Sequence, residues 1–150
     1  DKYKEQTREQ EYKVLQASLK PNTDVIELTK LKEAAEKLGK KKEFEQEYQK
    51  LLTNQKANSP KFNPNDVENS LAARWENNNI LKNYELKVLD NLYNNSKLPS
   101  GVILDQKTIA EQYATNSVYK DKVDNYFKNA VIFSVSLSFR HVYRGFRQNF

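Results

Sequence analysis

His141 is the only histidine of this 150-residue chain, and it stands beside Arg140 and three residues before Arg144. Guanidinium groups so close disfavour the imidazolium and suit phosphate oxygens, which is the setting of a general base in an RNase-type toxin domain. Such a base works with a second acid, base or oriented nucleophile, and no motif here supplies one, so a solvent-facing or core-edge histidine is the preferred reading. The same segment has a second kind of chemistry. Phe139, Tyr143, Phe146 and Phe150 fall at i, i+4, i+7 and i+11, and Arg140, Arg144 and Arg147 form an adjacent basic stripe. Cations beside aromatic faces can hold an anion, a base or an acidic partner. The candidate binding surface is therefore Arg140, His141, Tyr143, Arg144, Phe146 and Arg147. Its plain alternative is packing, with the aromatics as core and the arginines at the edge.

Other chemistries are poorly supplied. Cysteine is absent, which removes disulfides, zinc-thiolate and iron–sulfur sites and thiol nucleophiles together. Glu33, Glu36, Glu43, Glu45 and Glu47 lie among lysines at helical spacing, where surface pairing explains them, so neither a metal site nor a cofactor is expected. Gly39, Gly101 and Gly145 cannot build a phosphate-binding loop. Asn94-Asn95-Ser96 fits a glycosylation sequon, a frequent match in an Asn-rich chain.

The net charge of +5 is unevenly spread: residues 1–60 hold 13 basic and 11 acidic groups, 61–116 hold 6 and 7, and 117–150 hold 6 and 2. That imbalance permits a nucleic-acid or anionic partner without requiring one. Mean hydropathy is −0.93, yet nine Tyr, seven Phe and one Trp give a core otherwise short of aliphatics its apolar mass. No span crosses a membrane, because the longest charge-free apolar stretch, Ala130 to Phe139, is too short and is interrupted by serines. The lack of Met, position 1 included, points to a processing event or a fragment boundary before Asp1.

The elements that must position these groups read as helices. Residues 3–19 form a polar helix with Tyr12, Leu15 and Leu19 on one side, ended by Pro21. Asp24 and Glu27 make a capping box, followed by the stripe Val25, Leu28, Leu31, Ala35 and Leu38 and a terminal Gly39. Phe44, Tyr48, Leu51 and Leu52 continue the helical spacing, so 24–53 is expected to be a helical hairpin. The stretch 54–64 is a loop and the one subdomain boundary in an otherwise single helical domain, 1–150. A further helix is expected from a box at Asn65 and Glu68, with Val67, Leu71 and Trp75, then Leu81, Tyr84, Val88 and Leu92, buried; Asn77–Asn79 can bend or break it. Thr108 and Glu111 form another box.

Residues 131–139 support two readings. Val131, Phe133, Val135, Leu137 and Phe139 alternate with serines as in a half-buried strand, while Val123, Phe127, Ala130, Ser134 and Leu137 would continue a helix. The fold class is accordingly mainly α, a multi-helix bundle with room for one small β element near 102–104 and 131–139. The order of elements from 66 to 139 resembles the outline of a winged helix-turn-helix, with Ile109, Ala110, Glu111 and Gln112 where such a motif opens and Ala114 where its turn glycine usually stands. That resemblance implies nucleic-acid binding through 105–128. The function favoured by the whole chain is a non-catalytic interaction module, a subunit or accessory domain of a larger assembly that docks on protein through its C-terminal segment. Nucleic-acid binding and the toxin nuclease are the alternatives.

Overall fold

Two ends of one short helix illustrate how local chemistry sets the architecture. Asp24 adopts extended backbone and its Oδ1 accepts the Glu27 N–H at 2.8 Å, starting α2 (Val25–Lys37). At the other end Gly39, with φ of 70°, lets the Lys40 N–H reach Ala35 O at 2.8 Å and the Gly39 N–H reach Glu36 O at 3.0 Å. Those two bonds close a Schellman motif, and α3 (Lys41–Asn58) begins at once. Before α2 comes α1 (Lys2–Ser18), whose Tyr12 and Leu15 are buried. Thr23 pins the turn between them: its hydroxyl accepts the Lys20 N–H at 2.9 Å and donates to Ser18 O at 3.1 Å.

The computed structural model describes residues 2–96 and 99–129. After α3 follow α4 (Val67–Trp75), α5 (Asn79–Asn94), α6 (Gln106–Thr115) and α7 (117–129). The mainly α class is observed, and no strand occurs among the described residues. Val102–Leu104 is a correction to the small β element expected there: it is irregular, and Ile103 is 88% exposed. Among the described residues these three have no strand to pair with, and an isolated three-residue run cannot make a sheet by itself. Residues 131–139 lie outside the described residues. Among those described, no helix is long and apolar enough to cross a membrane.

The chain divides into two units. Residues up to Asn58 together with Trp75–Glu85 form one, and Ser59–Arg74 with the chain from Leu86 onward form the other. One crossing, Asn58 to Ser59, falls inside the 54–64 stretch; the other two fall inside α4 and α5. In the first unit α1 packs on α2 and α2 on α3, with Phe44, Leu52, Trp75, Ile80 and Leu81 buried. Helix α3 runs five residues past the expected end of the hairpin because its last turns have partners: Gln55 Oε1 accepts the Asn78 Nδ2 at 2.9 Å, and Lys56 Nζ lies 4.1 Å from the centre of the Tyr84 ring. It stops where Ser59 precedes Pro60, as backbone sterics require. In the second unit Leu71, Leu89, Tyr93, Ile109, Tyr119 and Val123 are buried.

Asn77–Asn79 breaks the helix rather than bending it. Asn77 takes a left-handed φ of 52°, and Asn78 Oδ1 accepts the Leu81 N–H at 3.2 Å as a cap for α5. Upstream, α4 starts at Val67, after Asp66 rather than Asn65; Asn65 is spent on a bond from its N–H to Asn63 Oδ1 at 2.9 Å. The buried side of α5 also differs from the expected Leu81, Tyr84, Val88 and Leu92. It is Leu81, Glu85, Leu89 and Tyr93, a stripe with a fully buried carboxylate in it. Glu85 is tolerated there because its Oε1 accepts the Trp75 Nε1–H at 2.9 Å.

Gly39→Ala is expected to lower stability by about 1–2 kcal/mol, because open space surrounds the added Cβ and only the left-handed backbone is strained. Asp24→Ala, at the opposite end of α2, should cost about 1 kcal/mol through loss of the cap. Urea unfolding followed by circular dichroism measures both; an unchanged midpoint for either would remove that end from the account of α2.

Candidate functional site

The segment singled out by sequence, Arg140, His141, Tyr143, Arg144, Phe146 and Arg147, lies outside the described residues. The second unit, to which its chain belongs, is described through α7. Within that unit α6 is opened by Asp105, not by the expected Thr108–Glu111 box: Asp105 is extended, and its Oδ1 accepts the Thr108 N–H at 2.8 Å. The backbone bond from Thr108 holds this carboxyl below the usual range. Thr108 is thus the third helical residue. Helix α6 ends at Asn116, which is extended, gives its N–H to Gln112 O at 2.9 Å, and lends its own carbonyl to the Lys120 N–H at 2.9 Å. A single residue therefore joins α6 to α7, where a helix-turn-helix motif ordinarily places a turn of three or four.

Facing side chains of α6, α7 and the Pro60–Pro64 loop form an aromatic cluster. Phe62 stacks on Phe127, with ring centres 4.2 Å apart and planes 10° from parallel, and Tyr113 meets Phe62 edge-on at 5.7 Å. Tyr126 stands edge-on to Phe127 at 4.9 Å. The Arg74 guanidinium lies 5.6 Å from the centre of the Phe127 ring and donates to Pro60 O at 3.1 Å, although Arg74 is only 4% exposed. Offset stacking, edge contacts and a cation over a ring add to what burial alone contributes. Beside the cluster, Tyr113 Oη donates to Asp124 Oδ1 at 2.5 Å, and Lys120 Nζ donates to Asp124 Oδ2 at 2.8 Å while lying 5.1 Å from the Tyr113 ring.

No protein-family model, curated protein or solved structure matches this chain.

The chemistry open to the Tyr113–Asp124–Lys120 group follows from its ionisation. Burial first, and then the bond to Asp124, pushes the Tyr113 phenol up; the bond to Asp124 likewise raises the Lys120 ammonium. Both groups hold their protons more tightly than free phenol and ammonium, and their bonds to Asp124 tie α6 to α7. Tyr119 behaves similarly. It is fully buried, donates to Leu89 O at 3.2 Å, packs edge-on to Tyr93 at 5.7 Å, and is raised well above the ordinary phenol range by burial and by Asp90. Among the described residues no group of three His, Cys, Asp or Glu could hold a metal ion. At the sequon, Ser96 is 8% exposed and its Oγ donates to Leu92 O at 2.6 Å, so the hydroxyl is engaged in the last turn of α5. Phe62, Arg74, Tyr113 and Asp124 had no signal in their spacing; the nearest to one was an aromatic held between two prolines.

Phe62→Leu keeps apolar volume but loses the stack and should cost about 1 kcal/mol, measured by urea unfolding. The raised phenols give a second expectation. Tyr12, Tyr48, Tyr113 and Tyr119 are all raised above 10.0, chiefly by burial. Because the folded state holds these protons more tightly, their contribution to stability is complete below the unfolded value and is lost as pH climbs through the folded ones. Phenolate absorbance should therefore lag behind free tyrosine and then rise together with loss of helical circular dichroism. Ionisation of all tyrosines near the free value with the helices intact would contradict it.

Proposed function

We propose that the chain is a non-catalytic helical interaction module, a subunit or accessory domain that docks on a protein partner through its basic aromatic C-terminal segment. The observation that supports the non-catalytic part is the direction of the resolved ionisation shifts among the described residues. Tyr12, Tyr48, Tyr113 and Tyr119 are raised, Lys40 and Lys120 are raised, and Asp105 is lowered. Each moves away from neutrality, opposite to the tuning that acid–base catalysis at pH 7 demands. Docking is supported by composition: residues 117–150 hold six basic and two acidic groups, with Phe139, Tyr143, Phe146 and Phe150 at helical spacing beside Arg140, Arg144 and Arg147. Large rings and arginines are the residue types that carry binding energy at protein interfaces.

The test compares the full chain with an Arg140/Arg144/Arg147→Ala variant of unchanged circular dichroism. Both are titrated by fluorescence anisotropy against short single- and double-stranded DNA and RNA at two salt concentrations, and both are used as bait for quantitative capture. The proposal expects no salt-sensitive nucleic-acid binding and a captured protein that the variant loses. Tight, salt-sensitive nucleic-acid binding lost in the variant would replace it with the nucleic-acid reading. RNA cleavage abolished by His141→Ala would replace it with the nuclease.

A further inference from the structure

Helix α1 has two faces. Tyr12 and Leu15 are buried, and the flank that carries Glu9 forms an ion pair with Lys40 in the same unit. The opposite face is exposed, and at 100° per residue it is a charge-free sector about 120° wide. Tyr3, Thr7, Gln10, Val14 and Ala17 run along its centre at alternating spacings of four and three. Tyr3 is 76% and Val14 70% exposed. Thr7 returns its hydroxyl to Tyr3 O at 3.1 Å, which leaves its methyl for the surface. Lys2, Glu9 and Lys13 border the sector on one side, and Lys4 and Glu11 on the other.

The four-three spacing is that of a coiled-coil seam, with Thr7 and Val14 at the positions that favour β-branched residues and Tyr3, Gln10 and Ala17 at the alternate ones. We propose that this face pairs with the same face of a second copy of the chain, antiparallel and centred between Arg8 and Glu9. In that register Tyr3 covers the partner's Val14, Thr7 meets the partner's Gln10, and Lys4 meets the partner's Glu11. The dyad makes each of these contacts twice.

Charge selects this arrangement over its neighbours. Sliding the pair by one heptad in one direction sets Glu11 against Glu11 and Lys13 against Lys13; sliding it the other way sets Lys4 against Lys4. A parallel pair brings Gln6 beside Glu11 and Lys13 beside Ser18, with no opposite charges matched. Repulsion in the wrong registers and attraction in one is how such seams choose orientation. Two polar central layers and a short helix place the contact among weak, reversible associations. The residues of this face are not those of the C-terminal segment, and the inference does not rest on the docking reading above.

The test is sedimentation equilibrium of the full chain over a wide concentration range, with Lys4→Glu, Glu11→Lys and the double variant Lys4→Glu/Glu11→Lys. The wild-type mass should rise with concentration from monomer towards dimer. Each single reversal turns two attractive pairs into two repulsive ones and should weaken association about tenfold. The double variant restores opposite charges and should recover association. A monomer at every concentration overturns the proposal. So does a dimer that ignores the single reversals, or one that the double variant does not recover. A dimer abolished by Arg140/Arg144/Arg147→Ala but indifferent to the reversals would belong to the C-terminal segment and would equally overturn it.

Discussion

The turn at Asn77–Asn79 is the constraint on which the N-terminal unit depends. Asparagine tolerates left-handed backbone and carries both a donor and an acceptor, and this turn uses both abilities. Asn77 takes the left-handed backbone, Asn78 caps α5 while donating to Gln55, and Asn79 Nδ2 donates to Asn22 O at 2.8 Å. The Ile80 N–H then reaches Pro21 O at 3.0 Å. These bonds run to both the α1–α2 turn and the end of α3, so the insertion 75–85 is fastened at two distant points of the first 58 residues. Trp75 and Glu85 bond to each other across that insertion, at its two ends. A longer uninterrupted helix would forfeit all of these contacts together.

A second theme is how a chain poor in aliphatics builds a core. Tyrosines take the place of leucines, Tyr113 and Tyr119 with bonded hydroxyls and Tyr12 and Tyr93 held by packing, and cations lie across several rings. Lys32 sits 4.7 Å from Tyr48, Lys40 5.9 Å from Tyr12, Lys56 4.1 Å from Tyr84 and Lys120 5.1 Å from Tyr113, with Arg74 over Phe127 as the arginine case. In each pair the ammonium itself lies over the ring, where the negative face of the π-system attracts it. Cation beside ring is thus this chain's packing habit. That habit weakens any inference from such neighbours to base stacking, and it is one reason a protein, and not a nucleic acid, is proposed as the partner of the C-terminal segment.

What the sequence disclosed depended on whether the signal was local. The Asp24 cap and the Gly39 stop are complete within a few residues, and both were legible. At α4 and α6 the capping pattern occurred in the sequence, but an aspartate, Asp66 next to Asn65 or Asp105 three residues before Thr108, precedes the helix. The expected α5 stripe differs from the observed one by one position after Leu81 because Glu85 interrupts an apolar period, and its bond to Trp75 is a tertiary contact that no local pattern shows. The Phe62–Phe127 stack joins residues far apart in the chain, which no spacing rule connects. Of the candidate site, Arg140 to Arg147 was legible only as composition and periodicity, and it lies beyond the described helices.

The division of the chain bears on the order in which it can be assembled. The first unit takes its last piece from residues 75–85, after the chain has already contributed 59–74 to the second. A nascent polypeptide therefore releases α1, α2 and α3 well before the stretch 75–85 that belongs to the same unit. Until Trp75 and Ile80 arrive, Phe44 and Leu52 lack two of the side chains buried in the same unit. Vectorial synthesis cannot finish this unit as its first act, because its last members are made after residues of the second.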